Sequence, residues 1–431
     1  MLTVVELAQS LIRFDTTNPP GNEAECIAFV RGLLEEAGCE TQTFERVPGR
    51  PNLVARLEGG DAPPLLLQGH VDVVTTSGQN WTHPPFEGLL VDGYVWGRGA
   101  LDMKGGVAML VDAFLRAKRE NVALPGDLVL VVLADEEDGG DEGARFLAEE
   151  HPELFAGIRY GLGEFGGTSV LIGGKRFYPI QVVEKQICWL KATIRGPGGH
   201  GAFVHRGETV ARLGKLLRDL DRKRTPVHVT PVVREFVERI AAELPRKEAT
   251  VMRSLLKPRL TDTALRLLGE RAATTEPMLR NTVNATIVRG GEKINVVPSE
   301  IVVELDGRLL PGFEPADLVA EVQAIVGRDV ELELVRHDPG PPEPDLGLFE
   351  MLAGVLRELD PDGIPVPFLQ IGVTDARFFG LLGIESYGFL PMRMPDDFLG
   401  LQYIHAADER VPAAALEFGA EAVWRAVQRS R

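Results

Sequence analysis

Five short segments of this chain place acidic and imidazole groups just after apolar strands, where they could hold cations. In Leu65-Leu-Leu-Gln-Gly-His70-Val-Asp72, His70 and Asp72 are two residues apart and share a face if the strand persists. Gly97-Arg-Gly-Ala-Leu-Asp102-Met-Lys-Gly-Gly106 is a glycine-rich loop that delivers Asp102 and then opens a helix. Leu128-Val-Leu-Val-Val-Leu-Ala-Asp135-Glu136-Glu137 is an apolar strand ending in an abrupt acidic cluster. Tyr160-Gly-Leu-Gly-Glu164 ends another strand in a carboxylate, and Ile404-His405-Ala-Ala-Asp-Glu409 precedes the last helix.

Open α/β sheets bind ligands beyond the carboxyl ends of their strands, and each of these candidates is expected near such an end. Gathered in one pocket, the carboxylates would repel one another and lose hydration unless divalent cations neutralised them. Two histidines with three carboxylates suit zinc, and cobalt or manganese fits the same ligands. Taken singly, the segments have plainer explanations. A Glu-Glu pair after a strand serves as a solvated turn, and a His-x-Asp as a structural pair. The Gly-Arg-Gly-x-x-Asp-Met-Lys loop is more specific, because few structural needs put those glycines beside an aspartate. Rival chemistry is missing: there is no Gly-x-Ser-x-Gly elbow, no phosphate loop ending Gly-Lys-Ser/Thr and no His-Glu-x-x-His.

The elements that must carry these residues follow from periodicity. Helical spacing predicts helices over 4–14, 23–37, 105–120, 143–149, 346–359 and 412–428. Strand-like runs at 52–57, 64–68, 128–134, 160–163 and 384–390 lie among them and predict a layered α/β domain. The middle of the chain has another rhythm. Strands at 187–195, 281–288, 301–309 and 330–335, with helices at 208–220 and 315–326, give the order βαββαβ of a ferredoxin-like α+β sandwich. A charged helical stretch at about 225–280 elaborates it and reads best as a solvated structural face. The expected organisation is a catalytic α/β/α domain from 1–184 plus 340–431, with 185–339 inserted.

The bulk composition sets further limits. The chain has 431 residues, with 46 Lys and Arg against 63 Asp and Glu, a net charge of −17. Such acidity excludes a phosphate-backbone partner, which requires a basic patch. Three cysteines far apart fit a reducing compartment rather than a disulfide framework. Met1-Leu-Thr-Val-Val-Glu-Leu7 lacks a basic n-region and a long apolar core, and no apolar run reaches the length of a bilayer span. A cytoplasmic protein without a membrane partner is expected.

With these residues in view, the chain resembles metallopeptidase family 20, which holds zinc aminoacylases, acetylornithine deacetylase, succinyl-diaminopimelate desuccinylase and glutamate carboxypeptidases. The resemblance runs from Asp15-Thr-Thr-Asn-Pro-Pro-Gly-Asn-Glu23 to the final helix. Trp81-Thr-His-Pro-Pro-Phe86, Gly93-Tyr-Val-Trp-Gly-Arg-Gly99, Asn295-Val-Val-Pro298 and Gly372-Val-Thr-Asp375 carry it as well. It implies a zinc-peptidase-like catalytic domain, and a lid and dimerisation role for the insert. It also implies two bound divalent ions, with Asp102 bridging them, His70 and Glu164 completing one site, and Glu137 and His405 the other. Asp72 would hydrogen-bond the His70 ring and fix its tautomer. Glu136 would be the general base that accepts a proton as metal-bridged hydroxide attacks an amide.

Further roles follow from the same resemblance. His200, in Gly196-Pro-Gly-Gly-His200, matches a family histidine that reaches a partner subunit's site and stabilises the oxyanion. Phe203-Val-His205-Arg departs from the family's small residues there, so His205 competes for the role, and a plain surface histidine is the other alternative. Arg308 resembles the arginine that grips a substrate carboxylate, with Asn295 as companion; an internal salt bridge is the alternative. Thr374 is expected to line the pocket, and Asp375 either to line it or to cap the next helix. Glu rather than Asp at 164 leans toward the deacylase branch. The expected substrate is a small N-acyl amino acid or peptide with a free carboxylate. The alternatives are a dipeptidase or carboxypeptidase, or a non-catalytic homologue that binds. A homodimer through edge-strand pairing of the insert is also expected.

Overall fold

A computed structural model of the chain describes residues 2–341, 343–398 and 402–430. The chain forms two compact units. The first comprises Met1–Val182, Pro344–Phe368 and Thr374–Arg431; the second comprises Val183–Glu343 and Leu369–Val373.

The first unit is built on a mixed sheet whose order is Thr41–Phe44, Asn52–Leu57, Gly126–Leu133, Ala62–His70, Tyr160–Gly163, Glu385–Gly388, Lys175–Glu184 and Ile364–Gln370. Its four middle strands, from Gly126–Leu133 to Glu385–Gly388, run parallel. Parallel strands are covered on both faces, which is why Leu128 to Leu133 is a continuous buried apolar run rather than an alternating one. One face packs Leu66, Val129, Val131 and Leu133 against Phe146, Leu147, Phe378 and Phe379. The other lies toward Lys104–Arg119, since a side-chain carbon at Gly69 would meet Met103 and Val107 there. Helices Val4–Ile12 and Ala413–Arg429 pack on that same buried helix. Thr3 and Glu6 start the first of them with a reciprocal capping box. The result is an α/β/α layered unit.

Several strands lie outside the predicted runs, and for two long ones in the main sheet the reason is identifiable. Lys175–Glu184 is interrupted by Pro179 and begins with charges, and Ile364–Gln370 contains Pro365 and Pro367. Prolines are tolerated in the latter because it forms the sheet's outer edge, where missing N–H donors break no ladder.

The second unit is a four-stranded antiparallel sheet in the order Thr282–Arg289, Glu300–Leu309, Gln186–Arg195 and Glu331–Asp338. With helices Thr209–Arg222 and Pro315–Val326 it has the ferredoxin-like order. Cys188, Leu190, Ala192 and Ile194 point inward to Leu216, Leu318 and Val322. Within 225–280 lie helices Pro231–Glu243, Arg246–Ser254 and Thr261–Leu268, which bury Val233, Val237, Ile240, Met252 and Leu265. This stretch has an apolar packing face of its own as well as a charged one.

Candidate metal centre

Two of the parallel strands finish level with one another, His70 opposite Leu133, and Glu164 follows Gly163 on the third. Strand ends thus deliver His70, Glu136, Glu137 and Glu164 to one edge of the sheet. Asp102 and His405 come from elsewhere, which corrects the expectation that every candidate follows a strand of the main sheet. Their loops flank a separate three-stranded sheet of Leu89–Val91, Tyr94–Trp96 and Arg410–Pro412, where Trp96 pairs with Arg410.

The six side chains meet. Nε2 of His70 lies 3.4 Å from Oδ1 of Asp102, 3.6 Å from Glu164 and 3.8 Å from Glu136. Nε2 of His405 lies 3.3 Å from Oδ2 of Asp102 and 3.2 Å from Glu137. The donors form two groups, His70 with Glu136 and Glu164, and Asp102 with Glu137 and His405. Buried atoms of four of them, Nε2 of His70, Oδ1 of Asp102, Oε1 of Glu137 and Oε2 of Glu164, have no hydrogen-bond partner among the described residues. Burying such groups unpaired is costly, and converging nitrogen and carboxylate donors are what a divalent cation satisfies. The residues fit the ions.

Electrostatics say the same. Burial and then Glu164's charge push the Glu136 carboxyl well above its ordinary range; burial and then Asp102 do so for Glu164. Burial opposes a charged His70, yet the charge of Glu164 and the nearby carboxylates of Asp102 and Asp72 outweigh it and raise that ring well above its usual range. Hydrogen bonds to Asp102 and Glu137 push His405 up to about 10. Protons are retained where cations would compensate the carboxylates.

Asp72 meets the His70 ring through two groups. Its backbone carbonyl, at 3.0 Å, is the closest partner of His70 Nδ1, while its carboxylate lies 3.3 Å away. That carboxylate accepts the backbone N–H groups of Glu136 and Glu137, each at 3.1 Å, and the Asn18 amide at 2.8 Å. Asp135, at a left-handed φ of 72°, turns the chain so that both glutamates face the site. Asn18 and Arg50 hold its carboxylate, and Glu23 in turn holds Arg50. Gly140 closes the turn at φ +73°, where a side-chain carbon would lie 2.6 Å from Asp375. Arg50 escaped sequence reasoning, for an isolated polar residue carries no periodic signal, and Asn18, Glu23 and Asp135 stood within the quoted segments without an assigned role.

Thr374 is fully buried, and its hydroxyl accepts the Ala376 N–H. Asp375 stands at the N-cap of the next helix but its side chain makes no cap bond there. Burial pushes its carboxyl up to about 7.

The remaining candidates belong to the second unit. His200 is exposed, and its Nδ1 accepts the Ala202 N–H at 3.1 Å. Both ring nitrogens of His205 are engaged, by Glu208 at 2.8 Å and by the His200 carbonyl at 3.1 Å. Asn295 is exposed, with its carbonyl accepting Gly201 N–H. Arg308 forks onto Asp306 at 2.7 and 3.2 Å, the internal pair its alternative reading named.

Known proteins resemble this one along its length. The profile of Peptidase family M20/M25/M40 matches residues 66–429. A probable carboxypeptidase S-like protein of Dictyostelium discoideum is 27% identical over 81% of this chain and 68% of its own. Aminoacylase-1 of Sus scrofa is 26% identical over 97% of this chain and 92% of its own. An M20 family metallo-carboxypeptidase from Sulfolobus solfataricus shares the fold, with a TM-score of 0.71, 15% identity, and 99% of each chain covered. No helix among the described residues is long and apolar enough to cross a membrane. The chain belongs to peptidase family M20/M25/M40 and is an enzyme of its amidohydrolase and carboxypeptidase-like kind.

Proposed function

We propose that this enzyme hydrolyses the amide bond of a small N-acyl amino acid, or of a peptide with a free carboxylate, at a centre for two divalent ions, zinc foremost. The observation that carries the reading is Asp102, whose two oxygens face different imidazoles, His70 and His405. One side chain can then serve two donor sets, with Glu164 beside His70 and Glu137 beside His405. When bound, the ions supply Lewis acidity that lowers the pKa of water and polarises the amide carbonyl.

Glu136 is the proton carrier in this proposal: it takes a proton from the attacking water and delivers it to the departing nitrogen. Asp72 orients Glu136 and Glu137 through their backbone. We assign the oxyanion donor to His200 rather than His205, because its Nδ1 accepts a bond and its proton must therefore sit on Nε2. Arg308, with Asn295, is assigned to the substrate carboxylate, which would replace Asp306 on the guanidinium fork. Thr374 is assigned to positioning the loop beside the substrate.

Glu164 in place of Asp, together with an aminoacylase among the relatives, favours N-acyl amino acids over dipeptides. Three free, buried cysteines accord with a cytoplasmic setting, and the outer strand of the second unit with a homodimer. The test is a hydrolysis panel of acetyl, succinyl and long-chain N-acyl amino acids against unblocked dipeptides, with zinc or cobalt supplied. Turnover of the acyl amino acids, abolished in Glu136→Ala, is expected. Turnover of dipeptides alone would move the enzyme to the peptidase branch.

A further inference from the structure

His405 is the least protected of the six donors. Half of its side chain is exposed, and its backbone stands at a left-handed φ of 61°. Packing therefore does not aim this ring; its backbone must be held. The holding groups form one connected set. Gln79 donates its side-chain N–H to the His405 carbonyl at 2.9 Å and accepts from Nη2 of Arg98 at 2.8 Å. Nη1 of Arg98 donates to the Ala406 carbonyl at 3.2 Å and to Glu409 at 2.6 Å. The other oxygen of Glu409 accepts the backbone N–H groups of Leu101 at 2.8 Å and Asp102 at 3.1 Å. The set thus runs from the peptide of the shared aspartate to the backbone of the exposed histidine.

Arg98 and Glu409 are almost wholly buried. A buried ion pair is weak grounds for stability, since desolvation offsets the attraction. What this one does is fix geometry, for it bonds to the backbone on both sides of the centre.

We propose that Gln79, Arg98 and Glu409 are positioning residues for the metal centre, and that Gln79, which bonds the backbone of His405 and not that of the shared Asp102, selectively sets the affinity for the ion held by Glu137 and His405. The selectivity follows from burial. His70 and Glu164 are 1% and 5% exposed and sit at sheet strand ends, so they keep their places without this set. The inference rests on the two-ion reading above.

The experiment titrates zinc into chelator-stripped full-length protein against a chromophoric competitor. It compares wild type with Gln79→Met, Glu409→Gln and Arg98→Lys, and checks each fold by circular dichroism. Wild type is expected to take two equivalents. In Gln79→Met the first should hold within about threefold and the second weaken by about 10- to 100-fold, the usual effect of losing a partner behind a ligand, whereas Glu409→Gln and Arg98→Lys, which also disturb the support of the shared Asp102, should weaken both. Gln79→Met is nearly isosteric at a partly exposed position, so it remains informative if the buried variants fail to fold. Two unchanged equivalents in folded Gln79→Met, or equal weakening of both, would overturn the inference while leaving the two-ion reading intact. A wild type that binds fewer than two ions would instead overturn that reading and this inference with it.

Discussion

Nδ1 of His70 lies 3.0 Å from the carbonyl oxygen of Asp72, two residues along the chain. A carbonyl only accepts, so Nδ1 supplies the proton of that bond and Nε2 is the nitrogen turned toward Asp102, Glu136 and Glu164. The backbone thus orients the ring, and the Asp72 carboxylate can act on the two glutamates.

That division of labour predicts the behaviour of Asp72→Asn. The amide accepts one of the two glutamate N–H groups but turns its own donor toward the other. Metal affinity is expected to fall about 10- to 100-fold. The His70 tautomer should not change, because the carbonyl remains. Nitrogen-15 spectra of the zinc-loaded variant test this; a shift of the proton to Nε2 would mean that the carboxylate sets the ring.

Adjacent carboxylates are expected to answer differently to the same substitution. Glu136→Gln should lower kcat by about 10²- to 10⁴-fold, the usual contribution of a general acid–base, while two ions remain bound. Glu137→Gln should lose an ion. Because Glu136 lies 3.8 Å from Nε2 of His70, the geometry alone also allows it to ligate. Metal counting on Glu136→Gln decides the matter: loss of an ion would make Glu136 a ligand rather than a proton carrier.

The layered α/β fold was legible because apolar runs and turn residues repeat on the scale of whole elements. His70 and Glu164 stood out as polar groups closing such runs, and Asp102 as an aspartate among glycines. What supports them was not legible. Glu409 reads as one more charge in a loop, yet it is fully buried beneath the Asp102 peptide. Arg50 and Asp135 are 85 positions apart, and only the folded chain joins them. For Asp72 the sequence named the right neighbour, but it could not choose between carbonyl and carboxylate, since that depends on backbone direction at the strand end.

The three cysteines yield a prediction with a definite pH sense. Burial pushes the thiols of Cys26 and Cys188 up to about 11 and raises that of Cys39. Thiolate is the reactive form and appears only as pH approaches these raised values, so neutral buffer leaves all three protonated. Folded protein at pH 7 to 8 is expected to show no prompt reaction with a chromogenic disulfide reagent, and three equivalents after denaturation. Prompt modification of the native chain would mean that a cysteine is accessible.

The two edges of the second unit's sheet differ in a way that bears on assembly. Glu331–Asp338 carries charges along its edge, and Glu331 and Glu333 are already paired with Arg195 and Lys191. Thr282–Arg289 has Arg289 as its single charged residue and leaves Ile287 and Val288 40% and 49% exposed. Unpaired N–H and C=O groups on an uncharged edge template another strand, whereas charge blunts the opposite one. Two copies meeting across a twofold axis would therefore pair through Thr282–Arg289. Light scattering at micromolar concentration is expected to give a dimer for wild type and a monomer for the double substitution Ile287→Lys, Val288→Lys, with zinc binding retained. A double variant that stays dimeric would place the interface elsewhere. A monomeric wild type would mean that this strand is an edge left open to solvent.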